Sequence, residues 1–401
     1  MLSQQNRNLF KLVIGQALLL ISFTMYSTVL LYLLVQQYKA NAHIVAIFGG
    51  MAAVPPALII FLSPKLGRIK NNKRILINLQ LISTITILVD GIFLIKHINL
   101  SSIGVLYFIL SAVSTISGSV EVGFVPIVFQ EDEDMIEKSV DFQYFMGAGI
   151  IILTNIVSSL MLVRHDSFWL LMTSFISAPI GIIFYRSISY DTSLNIQNSI
   201  EQNVPEHSYL KQMLDSLYQF SHTMPAFLII LFEAILGGLT GLLFQLLPLT
   251  MKELGLSVAV FSIVNAVQKT GDLVGGIFAP LIKWNASTFF TLDYVVSGSC
   301  FIGATLSINN FMRLALLLIA GIVMGMSGNV FEKLMYRSFN VGNISAMHAL
   351  VTSTFALFSV VSYFAVWINV KTLILWKIVG IITIIFGLII VLYHQKKEDK
   401  L

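Results

Sequence analysis

Long apolar runs, each about the length of a membrane-crossing helix, alternate with short polar connections along almost the whole chain. The hydrocarbon core of a bilayer is about 30 Å thick, so a helix needs about 20 apolar residues to cross it. Runs that qualify fall at 10–36, 43–63, 74–96, 102–129, 142–163, 167–187, 225–251, 257–282, 288–308, 311–331, 346–369 and 372–393, which predicts twelve spans. The first run is too long for a signal-peptide core and lacks a small-residue cleavage site, so it is expected to remain as a span. One connection breaks the rhythm. The segment 189–224 is long and polar, with Asn195, Gln197, Asn198, Glu201, Gln202, Asn203 and Glu206. It separates an N-terminal six-helix half, 1–188, from a C-terminal one, 225–401. Within it, 209–220 can form an amphipathic helix at the membrane surface, but a solvated linker accounts for the same composition. The expected fold class is an all-α polytopic membrane protein of two six-helix halves.

Composition agrees with this pattern. Of the 401 residues 56% are hydrophobic and 11% charged, against roughly 25% charged in a soluble domain, so the outer surface is expected to face lipid. Orientation follows from where Lys and Arg sit. The loop 63–74 holds Lys65, Arg68, Lys70, Lys73 and Arg74, and with the termini and the other connections on that side it collects most of the basic residues. The positive-inside rule then places both termini in the cytoplasm. Cys300 is the only cysteine and lies in an apolar run, so neither an intrachain disulfide nor a thiolate metal site is expected. There is no His/Glu pair at zinc spacing, no phosphate-cradling glycine loop, no nucleophile elbow and no basic face for nucleic acid. No cofactor and no metal ion are expected.

Chemistry must come from the few polar residues inside the spans, where a charge costs roughly 2.5–3.5 kcal/mol on insertion scales. In the eighth span Asn265, Gln268, Lys269 and Asp272 fall at i, i+3, i+4 and i+7, one stripe of a helix. The stripe is expected to face a partner helix or a wet cavity. Lys269 and Asp272 either form a structural ion pair or contact substrate with Asn265 and Gln268, and Asp272 is also a proton-coupling candidate. In the fourth span Ser111, Ser114, Thr115 and Gly118 repeat this spacing and would allow close helix approach. Glu121 then lies about two turns inside the membrane, a proton-coupling candidate. Gly321, Gly325 and Gly328 echo the pattern in the tenth span, with Glu332 beside Lys333 and Arg337 at its inner end. Glu233 has no basic residue within one turn, which suits a proton carrier, unless Lys269 reaches it from the neighbouring helix. Asp90, toward the outer end of the third span, is a weaker candidate, open to water or to Lys96. His348 and Asp293 lie near span boundaries and are read as solvated.

Four groups of residues form recognisable motifs: Asn8-Leu9-Phe10-Lys11 with Gly15-Gln16 and Tyr26-Ser27 in the first span, Val54-Pro55-Pro56-Ala57-Leu58 in the second, Leu66-Gly67-Arg68 with Lys70, Lys73 and Arg74 in the loop after it, and Pro126, the acidic run 131–134 and Gln143 at the fourth-to-fifth helix turn. Together they resemble the major facilitator superfamily, in particular its twelve-span bacterial exporters of macrolides and siderophores, with Pro64 in place of the loop motif's aspartate. The resemblance implies a monomeric secondary exporter in a bacterial cell membrane, driven by the proton gradient and in contact with lipid and a small-molecule substrate. It adds Tyr26 and Gln143 to the substrate-binding candidates and Gly67 and Arg68 as the loop motif. A polar, metal-chelating cargo, a siderophore or opine-like metallophore, would match the mixed charges in the spans; a macrolide or multidrug pump is the alternative. A polytopic acyl- or glycosyltransferase would need a clustered catalytic set at one face, which the sequence lacks, and a membrane receptor would ordinarily carry a soluble domain. The chain is therefore not expected to be an enzyme.

Overall fold

The computed structural model describes residues 4–66, 72–129, 132–189, 226–281, 284–338 and 344–398. Gly67, Arg68, Glu131 and the linker from residue 190 to 225 lie outside the described residues.

Helices account for nearly all of them. The first six are α1 (Gln4–Gln36), α2 (Ala42–Leu66), α3 (Asn72–Ile95), α4 (Leu100–Val128), α5 (Glu133–Val163) and α6 (Ser167–Arg186). The rest are α7 (Ala226–Gln245), α8 (Leu247–Glu253), α9 (Phe261–Phe278), α10 (Ala286–Leu306), α11 (Asn310–Ser338), α12 (Ile344–Tyr363) and α13 (Thr372–Glu398). Eleven of them are long and apolar enough to cross a membrane. The helix that misses that standard among the predicted twelve spans is α9, because the stripe from Asn265 to Asp272 falls within its 18 residues and lowers their hydropathy. The seventh span, predicted as one run, is broken between α7 and α8. Pro248 in the first turn of α8 has no N–H to give the preceding turn, so the ladder stops and restarts there. Large apolar side chains point outward all along the helices: Leu153 is 65% exposed, Ile183 65% and Leu392 65%. Water would not tolerate so much apolar surface; lipid does. The chain is a multi-pass membrane protein.

Helix ends carry their own caps. Asn99, Asp132 and Asn285 accept the backbone N–H of Ser101, Met135 and Thr288 at 3.0, 3.2 and 3.1 Å. Asp132 thereby starts α5 nine residues before the predicted span, so the acidic turn belongs to the helix entry. At the other ends, His97, His165 and Gly255 take left-handed φ of 55°, 61° and 72°. The next N–H in each case reaches back five residues, from Ile98 to Phe93, Asp166 to Met161 and Leu256 to Met251, as in a Schellman close. Glu253 plays the converse part for α13: its two carboxylate oxygens accept the N–H groups of Thr372 and Leu373 at 2.9 and 3.1 Å.

The helices group into two compact units. One comprises Met1–Lys39 and Met51–Tyr209; the other comprises Ala40–Gly50 and Leu210–Leu401, so the first turns of α2 belong to the second unit. In the first, α1 packs along α5 and α6, and α3 along α4 and α6. Gly15 and Gly181 bring α1 and α6 together: a Cβ on Gly181 would lie 3.0 Å from the Gly15 carbonyl. In the second unit, α9 packs along α11 and α10 along α13. A Cβ on Gly271 or Gly321 would sit 2.6 Å from the carbonyl oxygen of Leu318 or Gln268, and Gly275 and Gly325 are tighter still. The glycines of the tenth span therefore do let two backbones meet, except Gly328, which faces open space. Gly118 in α4 behaves differently from expectation: no atom lies within 4 Å of a Cβ built there.

Candidate functional site

Each unit holds a cavity built around buried acid. In the N-terminal unit a cavity of about 370 Å³ is lined by residues of α1, α3, α4, α5 and α6, with Gln16, Gln80, Ser114, Glu121, Gln143 and Tyr185 among its polar wall. The open space beside Gly118 is part of it. Glu121 accepts hydrogen bonds from Gln16 Nε2, at 2.7 Å, and from the Tyr185 hydroxyl. Gly15 fixes the tyrosine, because a Cβ there would fall 2.6 Å from the ring carbon Cδ2. The adjacent Gly15 and Gln16 thus supply a seat for one donor and the other donor itself. Two neutral donors on one carboxylate hold its charge without neutralising it. Gln143 lines the same cavity, with its amide donating to Ser139 Oγ at 2.8 Å. Gln80 Oε1 is buried with no hydrogen-bond partner.

Asp90 and Tyr26 are elsewhere. Asp90 is fully buried, at 0% exposure, and takes the Tyr26 hydroxyl, itself at 0%. The expectation that Asp90 is hydrated or paired with Lys96 is corrected: the α1–α3 interface seals it, and Lys96 is exposed. With its hydroxyl bonded to Asp90, Tyr26 lies outside the cavity lining.

In the C-terminal unit a smaller cavity, about 100 Å³, is lined by Glu233, Thr240, Asp293, Tyr294, Ser297, Ser327 and Thr383, among others. Asp293 is 2% exposed, so reading it as solvated was wrong. The capped start of α10 at Ala286 places it about two turns into the helix, roughly 10 Å along the axis. Ser327 Oγ donates to Asp293 Oδ2, while Oδ1 is buried and unbonded. Glu233 feels the charge of Asp293 and faces the Tyr294 hydroxyl, which closes no hydrogen bond. Its neighbour is a second carboxylate, not Lys269. Lys269 pairs instead with Asp272, as their i, i+3 spacing allows. Asn265 and Gln268 share that face of α9, and neither cavity includes any of the four. Among the described residues no group of three or more His, Cys, Asp or Glu gathers as a metal site.

Sequence reasoning singled out Glu121, Glu233 and Gln143, read Asp293 as solvated, and passed over Gln80, Tyr185 and Tyr294. A glutamine in the middle of an apolar run was the available signal for Gln80; the tyrosines gave none.

No family model and no curated protein matches the chain. Solved structures do. A mutant of the nucleoside transporter NupG superposes with a TM-score of 0.74 at 16% identity, covering 96% of this chain and 99% of that one. A peptide transporter of the POT family gives 0.72 at 10%, covering 99% of each chain. A bacterial homologue of the iron transporter ferroportin gives 0.70 at 12%, covering 96% of this chain and 98% of the other. The fold is that of the major facilitator transporters. Within the major facilitator fold, the predicted twelve-span plan assigns α7 and α8 together to one span and α9 to the next.

Proposed function

We propose that the chain is a secondary active transporter that exports a small polar metabolite in exchange for protons, with both termini cytoplasmic. The observation that carries the reading is the N-terminal cavity: one carboxylate, Glu121, held by two neutral donors in a space lined by further amides and hydroxyls. Burying such groups is unfavourable unless they pair with one another or with a polar ligand. A cargo amine and a proton would compete for Glu121, and that competition is the elementary requirement for exchange. The other acids fit the part less well, since Asp90 is sealed by Tyr26, Asp272 is closed on Lys269, and Glu233 shares its cavity with a second acid. The similar folds are those of nucleoside, peptide and D-xylose transporters and of a homologue of an iron transporter, all named for small hydrophilic cargo.

For the cargo itself we favour a metal-chelating metabolite bearing amines and carboxylates, on the resemblance to siderophore exporters together with the polar cavity wall. A macrolide would be held by aliphatic and aromatic walls with few fixed polar groups. Metabolite profiling of cytoplasm and medium under metal starvation tests this. Without the gene the chelator should accumulate inside, and Glu121→Gln should reproduce the deletion and lose counterflow exchange as well, because cargo and proton meet at the same carboxylate. Intact chelator secretion with altered drug sensitivity would overturn the cargo, and undiminished uphill export by Glu121→Gln would overturn the coupling. Reporter fusions at Ala42 and Ser101 should read exterior and one at Lys397 cytoplasm.

A further inference from the structure

The acid pair of the C-terminal unit is not used by the mechanism above, and its surroundings are unusual. Five helices, α7, α10, α11, α12 and α13, line the cavity between Glu233 and Asp293. Its polar atoms are all oxygens. Thr240, Ser297 and Thr383 donate their hydroxyl protons to the carbonyls of Leu236, Asp293 and Val379, each at 2.7 Å. Those hydroxyl oxygens can then offer only lone pairs to the space they border. Two further atoms in the lining are buried and unbonded: Asp293 Oδ1, on a residue 2% exposed, and the Tyr294 hydroxyl, on a residue 1% exposed. The two carboxylates make no hydrogen bond with each other, so no proton is shared directly between them; they meet only through their charges. Among the described residues no basic side chain lines the cavity.

We infer that this cavity binds one sodium ion between Glu233 and Asp293, with the surrounding hydroxyl oxygens completing its shell. Hard cations take oxygen ligands, and buried like charges demand a proton or a counter-charge. Among the described residues the cavity supplies seven oxygen-bearing side chains and no side-chain nitrogen. Its volume of about 100 Å³ holds an ion with a few waters. Among the described residues no third Asp, Glu, His or Cys joins the pair, and calcium bound in preference to sodium would overturn the choice of ion. The titratable groups facing the ion are Glu233 from α7 and Asp293 and Tyr294 from α10; α11, α12 and α13 contribute none to the lining. Binding requires no transported cargo, so the inference stands apart from the proposed function and can fail without it.

The test uses the full-length protein in nanodiscs, with no cargo present, at fixed pH and with choline holding ionic strength constant. Radioactive sodium should bind saturably at one ion per chain. Sodium, and more weakly lithium, should raise the unfolding temperature, while potassium and choline should not. Asp293→Asn and Glu233→Gln should each weaken sodium binding tenfold or more, and the milder Thr383→Val should weaken it severalfold in a protein that keeps its wild-type unfolding temperature in choline. Should wild-type protein take up no sodium and respond only to pH, the pair is a proton site and the inference falls. Sodium binding that is unchanged in all three variants would place the ion elsewhere and overturn it equally.

Discussion

The two units handle buried acid in opposite ways. In the N-terminal unit Asp90 is sealed by Tyr26, and the one carboxylate at the cavity of about 370 Å³, Glu121, is matched with two donors. In the C-terminal unit two carboxylates share about 100 Å³, with one serine donating to one of them. The glycines follow the same division. Gly118 in α4 borders open space, whereas Gly321 and Gly325 in α11 are pressed against the backbone of α9. The same small-residue spacing thus builds a cavity wall in one half and a backbone-to-backbone seam in the other. The N-terminal unit has room for a ligand; the C-terminal unit has a charge to balance. That is why we assign cargo to one and an ion to the other.

The seam gives the largest expected effect. Gly325→Ala would push a methyl into the Asp272 backbone, which cannot yield as a flexible side chain can. Overpacking of this kind costs about 1–3 kcal/mol, occasionally more, so the variant should lose much of its folded yield in a detergent thermal-shift assay. Gly118→Ala should stay within about 0.5 kcal/mol of wild type. Equal losses for both would erase the open-versus-closed distinction.

The helices were legible because a bilayer sets their length, and the apolar runs match it within a few residues at most ends. Glu121 and Glu233 were legible because a charge stands out in an apolar run. What surrounds them was not. Gln16 lies 105 residues from Glu121 and Tyr185 lies 64, and a tyrosine in a span looks like any other aromatic. Asp293 was misjudged because it sits seven residues from a helix start that only the structure fixes. The break between α7 and α8 had a signal in Pro248, which the unbroken apolar run concealed.

A smaller effect separates charge from hydrogen bonding at Glu121. Glu121→Ala leaves the Gln16 amide and the buried Tyr185 hydroxyl without their acceptor, which should cost about 1–3 kcal/mol. Glu121→Gln keeps an oxygen for them and should recover most of that stability, yet still abolish exchange. Tyr185→Phe removes one donor and should cost less than Glu121→Ala. A double-mutant cycle between the two positions should show coupling of about 0.5–3 kcal/mol; strict additivity would mean the contact is incidental.

The smallest stability effect is expected at Lys269, and it decides what the polar stripe of α9 does. Its side chain is 36% exposed and that of Asp272 26%. An ion pair this open contributes about 0–1 kcal/mol, because both charges stay hydrated and two side chains lose freedom. If the pair is only structural, Lys269→Ala should lower stability by less than about 1 kcal/mol and leave export unchanged. If Asn265, Gln268 and Lys269 meet the cargo, the same variant should keep that stability and lose export. The two readings differ in one measurement, export at matched protein level. The charge-swapped pair, Lys269→Asp with Asp272→Lys, sharpens it further. A structural pair should tolerate the swap, since either order can close at i, i+3. A cargo site should not, because the cation would move about one turn along the helix, away from the group it holds.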